Sequence, residues 1–240
     1  MAGRVLVAGL LGLYAVLWAG GVAAHWLWRR TPDGANWSAS AFLSCAAALL
    51  LVKLPAARFW LLGVGAAGFL VELAGATLGA PFGPYSYTAV LQPQIGGVPV
   101  VMACAWVILI SYVKSLTAML PLGRAAAVAL GAAWMTAIDL SIDPVCTLAL
   151  DYWRWRVPGP YYGIPWSNFA GWFLVSGFLL ATGVRFRVEG PWVRRIGLSV
   201  VVFFGLLAAA HGLTGAAAAA LGLTLVHIWA SWRPGRWPPK

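Results

Sequence analysis

The feature that most constrains this chain is a series of long apolar runs separated by short polar segments. Mainly apolar residues fill positions 5–27, 39–54, 59–78, 98–120, 125–143, 166–184, 196–210 and 213–231. A bilayer span needs about 20 such residues. A soluble fold could not hide these runs, because 62% of the 240 residues are hydrophobic and only 9% are charged, where about 25% charged is usual. The expected fold is therefore all-α: a polytopic membrane helix bundle of about eight transmembrane helices, forming one integral membrane domain over residues 1–240. Only His211 and Gly212 separate the last two runs, so seven spans is the alternative.

Charge placement favours eight. With the N-terminus in the cytoplasm, the inner side receives Arg4, Lys53, Arg58, Lys114, Arg124, Arg185, Arg187, Arg194, Arg195, Arg233, Arg236 and Lys240. The outer side receives Arg29, Arg30, Arg154 and Arg156. This bias follows the positive-inside rule and leaves both termini cytoplasmic. Merging the last two runs would move Arg233, Arg236 and Lys240 outside. The net charge of +10 is thus explained by topology and by anionic lipid headgroups, not by nucleic acid. Arg4, the first apolar run and Val22-Ala23-Ala24 also fit a signal peptide with a cleavage site. The run is read as a span.

Several motifs lead nowhere. Gly63-Val64-Gly65-Ala66-Ala67-Gly68 matches GxGxxG, but it lies inside an apolar run, with no strand before it, so close helix packing explains it better. His25, His211 and His227 are scattered, and Cys45, Cys104 and Cys146 form no CxxC. The expectation is no metal site and no cofactor. There is no GxSxG to support acyl transfer.

The informative polar residues are acids within the spans. Glu72, Asp139 and Asp143 fall inside apolar runs or at a run's end. A carboxylate near a helix centre costs about 2.5–3.5 kcal/mol to insert, so it faces a cavity or a partner. Asp139 and Asp143 are four apart and share a helix face. Two carboxylates on one poorly solvated face do not both ionise cheaply, and a retained proton is what a general acid needs. The structural alternatives are backbone hydrogen bonds, pairing with Arg154 or Arg156, or a helix that simply ends at Asp143-Pro144. Glu72 as a structural bridge between helices is the corresponding alternative for that residue.

Two segments between runs are dense in aromatics and turn formers. One is Pro81-Phe82-Gly83-Pro84-Tyr85-Ser86-Tyr87-Thr88, continuing to Gly97-Val98-Pro99. The other runs from Asp143-Pro144 through Asp151-Tyr152-Trp153-Arg154-Trp155-Arg156 to Tyr161-Tyr162-Gly163-Ile164-Pro165-Trp166-Ser167-Asn168. Both lie on the outer side in the topology above, so they can meet. An interfacial aromatic belt accounts for some of these rings. The Pro and Gly density, and Ser167-Asn168 at the start of a span, point instead to the lining of a shaped pocket.

Phe82-Gly83-x-Tyr85-x-Tyr87-Thr88, Gly97-Val98-Pro99, Asp139-x3-Asp143-Pro144, Tyr152-Trp153-x-Trp155 and Tyr162-Gly163-Ile164-Pro165-x-Ser167-Asn168-x2-Gly171-Trp172 resemble the CruF-type carotenoid biosynthesis proteins. The resemblance covers residues 72–172. Gln92 and Asp151 stand where that pattern commonly has glycine. The resemblance implies a multi-pass enzyme of the cell membrane, a carotenoid 1,2-hydratase acting on acyclic end groups without a cofactor. It would protonate the CH carbon of a trisubstituted alkene and add water to the tertiary cation. Asp139 or Asp143 would supply the proton, with Glu72 as a further donor or as the base that activates water. Trp153, Trp155, Tyr162 and Trp166 would face the cation, and Asn168 or Tyr85 would hold the water. Tyr87 and Trp172 complete the expected substrate lining. The implied partners are a membrane-dissolved carotenoid, water, the bilayer and other carotenoid enzymes.

Rival readings remain. An end-group cyclase would use the same acids but keep water from the cation. A proton-coupled transporter or lipid carrier would use Glu72, Asp139 and Asp143 as a relay, and a structural protein would bind pigment without converting it. Transport predicts inverted repeats, and no such symmetry is visible in the sequence.

Overall fold

The computed structural model describes residues 2–232, so Arg233, Arg236 and Lys240 of the charge argument lie outside the described residues. Eight α-helices make up most of the described residues. They are α1 (Ala2–Trp28), α2 (Trp37–Lys53), α3 (Arg58–Leu78), α4 (Met102–Thr117), α5 (Arg124–Leu148), α6 (Trp166–Thr182), α7 (Pro191–Ala210) and α8 (Thr214–Ser231). Among the described residues five of them, α1, α3, α5, α7 and α8, are long and apolar enough to cross a membrane, and α2 and α4 are shorter apolar helices. The outer surface is apolar too, with Leu13, Phe59, Leu70, Phe178, Leu221 and Trp229 exposed. The chain is a helical membrane protein.

Helix α4 sits at the centre and packs on α2, α3, α5 and α7. Its sequence is apolar nearly all round, as a helix with neighbours on every side requires, and Trp106, Ile108, Ile110, Tyr112 and Val113 are fully buried. Small residues let α3 approach it. A Cβ on Gly68 would stand 2.3 Å from the Trp106 ring, and one on Gly65 would stand 3.1 Å from the Ala103 carbonyl. This is the use to which the GxGxxG letters are put. Around α4 the chain pairs its helices in sequence order, α1 with α2, α5 with α6 and α7 with α8. His211 and Gly212, the latter at φ 73°, turn the chain sharply between α7 and α8, so the last apolar region forms two helices.

Among the boundaries that differ from those expected, two bear on the site. Helix α4 starts at Met102, not at 98, because β3 (Val98–Pro99) turns back on β2 (Gln94–Ile95). Gly96 and Gly97 both have positive φ, as a tight two-residue hairpin demands. Helix α5 does not end at Asp143 but runs on through Pro144 to Leu148. A proline there removes the amide that would bond the Leu140 carbonyl, and the Tyr161 hydroxyl donates to that oxygen instead, at 2.8 Å.

Candidate active site

The two aromatic segments meet. β1 (Tyr85–Tyr87) and β4 (Trp153–Trp155) pair antiparallel, with Tyr85 opposite Trp155 and Tyr87 opposite Trp153. Alternation along a strand sends these four rings to one face and Ser86 and Arg154 to the other. Across the ribbon the ring centroids lie 5.1 Å apart for Tyr85–Trp155 and 5.8 Å for Tyr87–Trp153. The ribbon lies over one end of the bundle and carries its hydrogen-bond donors to carboxylates on α3 and α5. Asp151, just before β4, takes φ 50°, a left-handed conformation that favours glycine. Its carboxylate accepts two hydrogen bonds from the exposed Arg154 guanidinium, at 2.6 and 2.7 Å, and these hold it below the usual carboxylate range. That arginine is therefore engaged outside the bundle and pairs with neither Asp139 nor Asp143.

Glu72, on α3, is buried and satisfied by three donors. The Tyr85 and Tyr87 hydroxyls donate to Oε2 at 2.6 and 2.8 Å, and the Trp106 indole N–H donates to Oε1 at 3.0 Å. Burial, then the neighbouring Glu72 carboxylate, push both phenols well above their usual range, so they remain donors. Asp143 is held in a similar way. Its Oδ1 accepts from the indoles of Trp153 at 2.7 Å and Trp155 at 3.3 Å, while Oδ2 accepts from the Asn168 amide at 2.9 Å. The same Asn168 nitrogen donates to Asp139 Oδ2 at 2.6 Å. Asn168 is buried in the first turn of α6 and bridges the two aspartates, one turn apart on α5.

These groups enclose a small polar cavity of about 30 Å³, walled by Glu72, Asp139, Asp143, Asn168 and the surrounding rings, which is room for a water molecule. Next to it lies an apolar cavity of about 60 Å³ between α2, α4, α5 and α7. Met102, Asp139, Trp153 and Trp172 wall both. Of the three carboxylates, Asp139 alone borders the two spaces.

Nine of the eleven residues expected at the site line the polar cavity: Glu72, Tyr85, Tyr87, Asp139, Asp143, Trp153, Trp155, Asn168 and Trp172. Tyr162 and Trp166 do not. The Tyr162 hydroxyl accepts from the Gly215 amide at 2.9 Å, at the start of α8, and Trp166 is 67% exposed. The sequence reading quoted Phe82 in a motif without giving it a place in the site, and it passed over Met102 and Trp106. Trp106 stacks on Trp172 with centroids 4.6 Å apart. A tryptophan deep in an apolar run, whose indole N–H must find an acceptor, was the available signal. His25 and His211, far apart in sequence, form a pair at 2.9 Å, and His227 bonds Tyr112 at 2.9 Å. Neither contact is at this site.

The fold and site define a polytopic helical membrane protein whose end is sealed by an aromatic ribbon over three buried carboxylates. The chain belongs to the carotenoid biosynthesis protein family, whose model matches residues 36–230. It is also 32% identical over 130 residues to the bisanhydrobacterioruberin hydratase of Haloarcula japonica, a match covering 52% of this chain and 43% of that protein. The similarity thus spans less than half of the length of that relative. No solved structure matches the chain.

Proposed function

We propose that this chain is a carotenoid hydratase of the cell membrane, adding water across the terminal double bond of an acyclic end group. The observation that carries the reading is the position of Asp139 between an apolar cavity and a water-sized polar one. An alkene end reaching Asp139 through the first would meet an acid and, beyond it, water. Family membership and the hydratase relative support the substrate class and the reaction.

In this reading the two aspartates share one proton, as closely placed carboxylates do. Asp143 has three donors and Asp139 has one, from Asn168, so Asp139 carries the proton. It passes this proton to the CH carbon of the alkene, whose π electrons form the new C–H bond and leave a tertiary cation. The aromatic walls, Trp153 and Trp172 foremost, stabilise that cation by up to about 2 kcal/mol each in a dry site. The water oxygen then bonds to the tertiary carbon, and the water's proton returns to the aspartate pair. One water is added, no redox change occurs and no cofactor is needed. Glu72, bonded to both tyrosines and Trp106, positions the donors that line the water site. All eight helices would cross the bilayer with both termini cytoplasmic, a topology supported by the bias of basic residues.

The test is co-expression in a bacterial host that accumulates lycopene, with mass analysis of the pigment. A product heavier by one water and carrying a tertiary hydroxyl is the expected result. An isomer of unchanged mass would replace hydration by cyclisation. Unaltered lycopene, with the protein present in the membrane, would overturn the reading for that pigment.

A further inference from the structure

A third cavity lies further along the bundle. It has a volume of about 360 Å³ and is formed by α1, α2 and α7 together with the segment just before β4, a size typical of a small-molecule site. Its lining is mostly apolar, and it opens where Val16, Trp28 and Trp37 are 69%, 61% and 62% exposed, on a helix surface that would face lipid. It adjoins the candidate active site. Leu43, Tyr152 and Phe204 wall both this groove and the apolar cavity beside Asp139, and that cavity in turn shares Asp139 with the polar one. Glycines on α1 make the space. A Cβ on Gly20 would meet nothing within 4 Å.

We propose that the groove between α1, α2 and α7 binds the arm of a linear isoprenoid polyene whose end group passes between Leu43, Tyr152 and Phe204 to Asp139. This rests on the hydratase reading for the chemistry at the far end. Three features select a polyene over an acyl chain of a lipid. The groove shares Leu43, Tyr152 and Phe204 with the cavity that Asp139 borders. Phe42, Phe203, Phe204 and Tyr152 offer flat rings along it. A rigid conjugated rod also loses little conformational entropy on binding, where a flexible acyl chain loses much. The side opening suits a substrate that arrives dissolved in the bilayer, and the narrow space of about 60 Å³ beyond it suits the end of a linear chain.

The test uses the full chain in detergent micelles with lycopene as the probe. Binding is read from visible circular dichroism, which an achiral polyene gains only in a chiral site, and turnover from the mass of the product. Gly20→Trp, which fills the groove from α1, is expected to weaken binding at least tenfold and to lower hydration with it. Leu43→Trp, which fills that narrow space from α2, should do the same, and it decides the matter if Gly20→Trp fails to fold. Gly222→Trp, on a part of α8 with nothing within 4 Å of an added Cβ, should match the wild type in both readouts. Asp139→Asn should bind normally and not turn over. Normal binding and turnover in a folded groove-blocking variant would overturn the groove and leave the hydratase reading standing. Wild-type protein that gives no induced signal would overturn the groove as well. Binding that is lost on blocking, with no water added by the wild type, would keep the groove and overturn the reaction.

Discussion

The Tyr161 hydroxyl stands 2.8 Å from the Leu140 carbonyl, the oxygen that Pro144 deprives of its helical donor. This contact lets α5 continue through the proline and keeps Asp139 and Asp143 on one helical face. Tyr161→Phe should therefore cost about 1–3 kcal/mol, the usual penalty for a buried polar group left unpaired. In a Pro144→Ala background the amide is restored, so the same substitution should cost far less. Thermal melts of the four proteins of this cycle measure the difference. Equal costs in both backgrounds would show that the tyrosine acts elsewhere.

Gly68 and Gly63 occupy the same apolar helix and the same motif letters, yet should differ sharply. A Cβ at Gly68 would fall 2.3 Å from Trp106, whereas one at Gly63 would meet nothing within 4 Å. Gly68→Ala must displace the indole that bonds Glu72 and stacks on Trp172, at an overpacking cost of about 1–3 kcal/mol. Gly63→Ala should be neutral or slightly stabilising, because it improves helix propensity. Melting temperatures of the pair settle the point, and a loss of activity should accompany Gly68→Ala alone.

The sequence made the helices legible because each apolar run announces its own length, and lipid-facing and core-facing residues alike are apolar. It also pointed to the acids, whose insertion cost marks them out. It did not reveal how the segments close over them. The β1–β4 pairing joins Tyr85 to Trp155, and no local pattern specifies a partner so distant. Tyr162 and Trp166 looked equivalent to Trp153 and Trp155 by composition. Only the ribbon's alternation sends the latter pair inward, while Tyr162 turns to α8 and Trp166 outward. The continuation of α5 past Pro144 was hidden for the same reason, since the compensating hydroxyl comes from Tyr161.

Glu72 accepts three hydrogen bonds through two oxygens. Glu72→Leu removes the acceptor of all three and leaves the Trp106 indole N–H without its partner, so it should lower stability by about 1–3 kcal/mol, more than Tyr87→Phe, which removes one donor and leaves the carboxylate two. Chemical or thermal unfolding in a fixed detergent would rank them. The reverse order would mean that Glu72 is not held by this cage.

Asp151 gives the expected pH dependence at the surface. Its carboxyl lies below the usual range because Arg154 bonds it, so the pair contributes fully above that range and is lost as pH falls through the lowered value. The side chains are 48% and 71% exposed, so solvent screens the pair and keeps its contribution small. Asp151→Asn keeps a residue that tolerates positive φ and removes the charge. It should be slightly less stable than wild type at pH 7 and equal to it in acid or in high salt. A difference that persists in strong acid would contradict this account.

Asp139 and Asp143 should separate chemistry from stability. Asp139 accepts one hydrogen bond, from Asn168, which an asparagine oxygen at 139 can still accept. Asp139→Asn should thus melt near the wild type while losing about 10²–10⁴-fold in turnover, the usual worth of a positioned acid. Asp143 accepts from Trp153, Trp155 and Asn168 through both oxygens. An asparagine there must set its NH2 against the two indoles or against the Asn168 amide, so Asp143→Asn should lose stability by about 1–3 kcal/mol as well as turnover. Product formation from lycopene and melting temperature, measured on the same preparations, give the two readouts. If Asp139→Asn kept full turnover, the proton would have to come from another group, and Asp143 would be the first to examine.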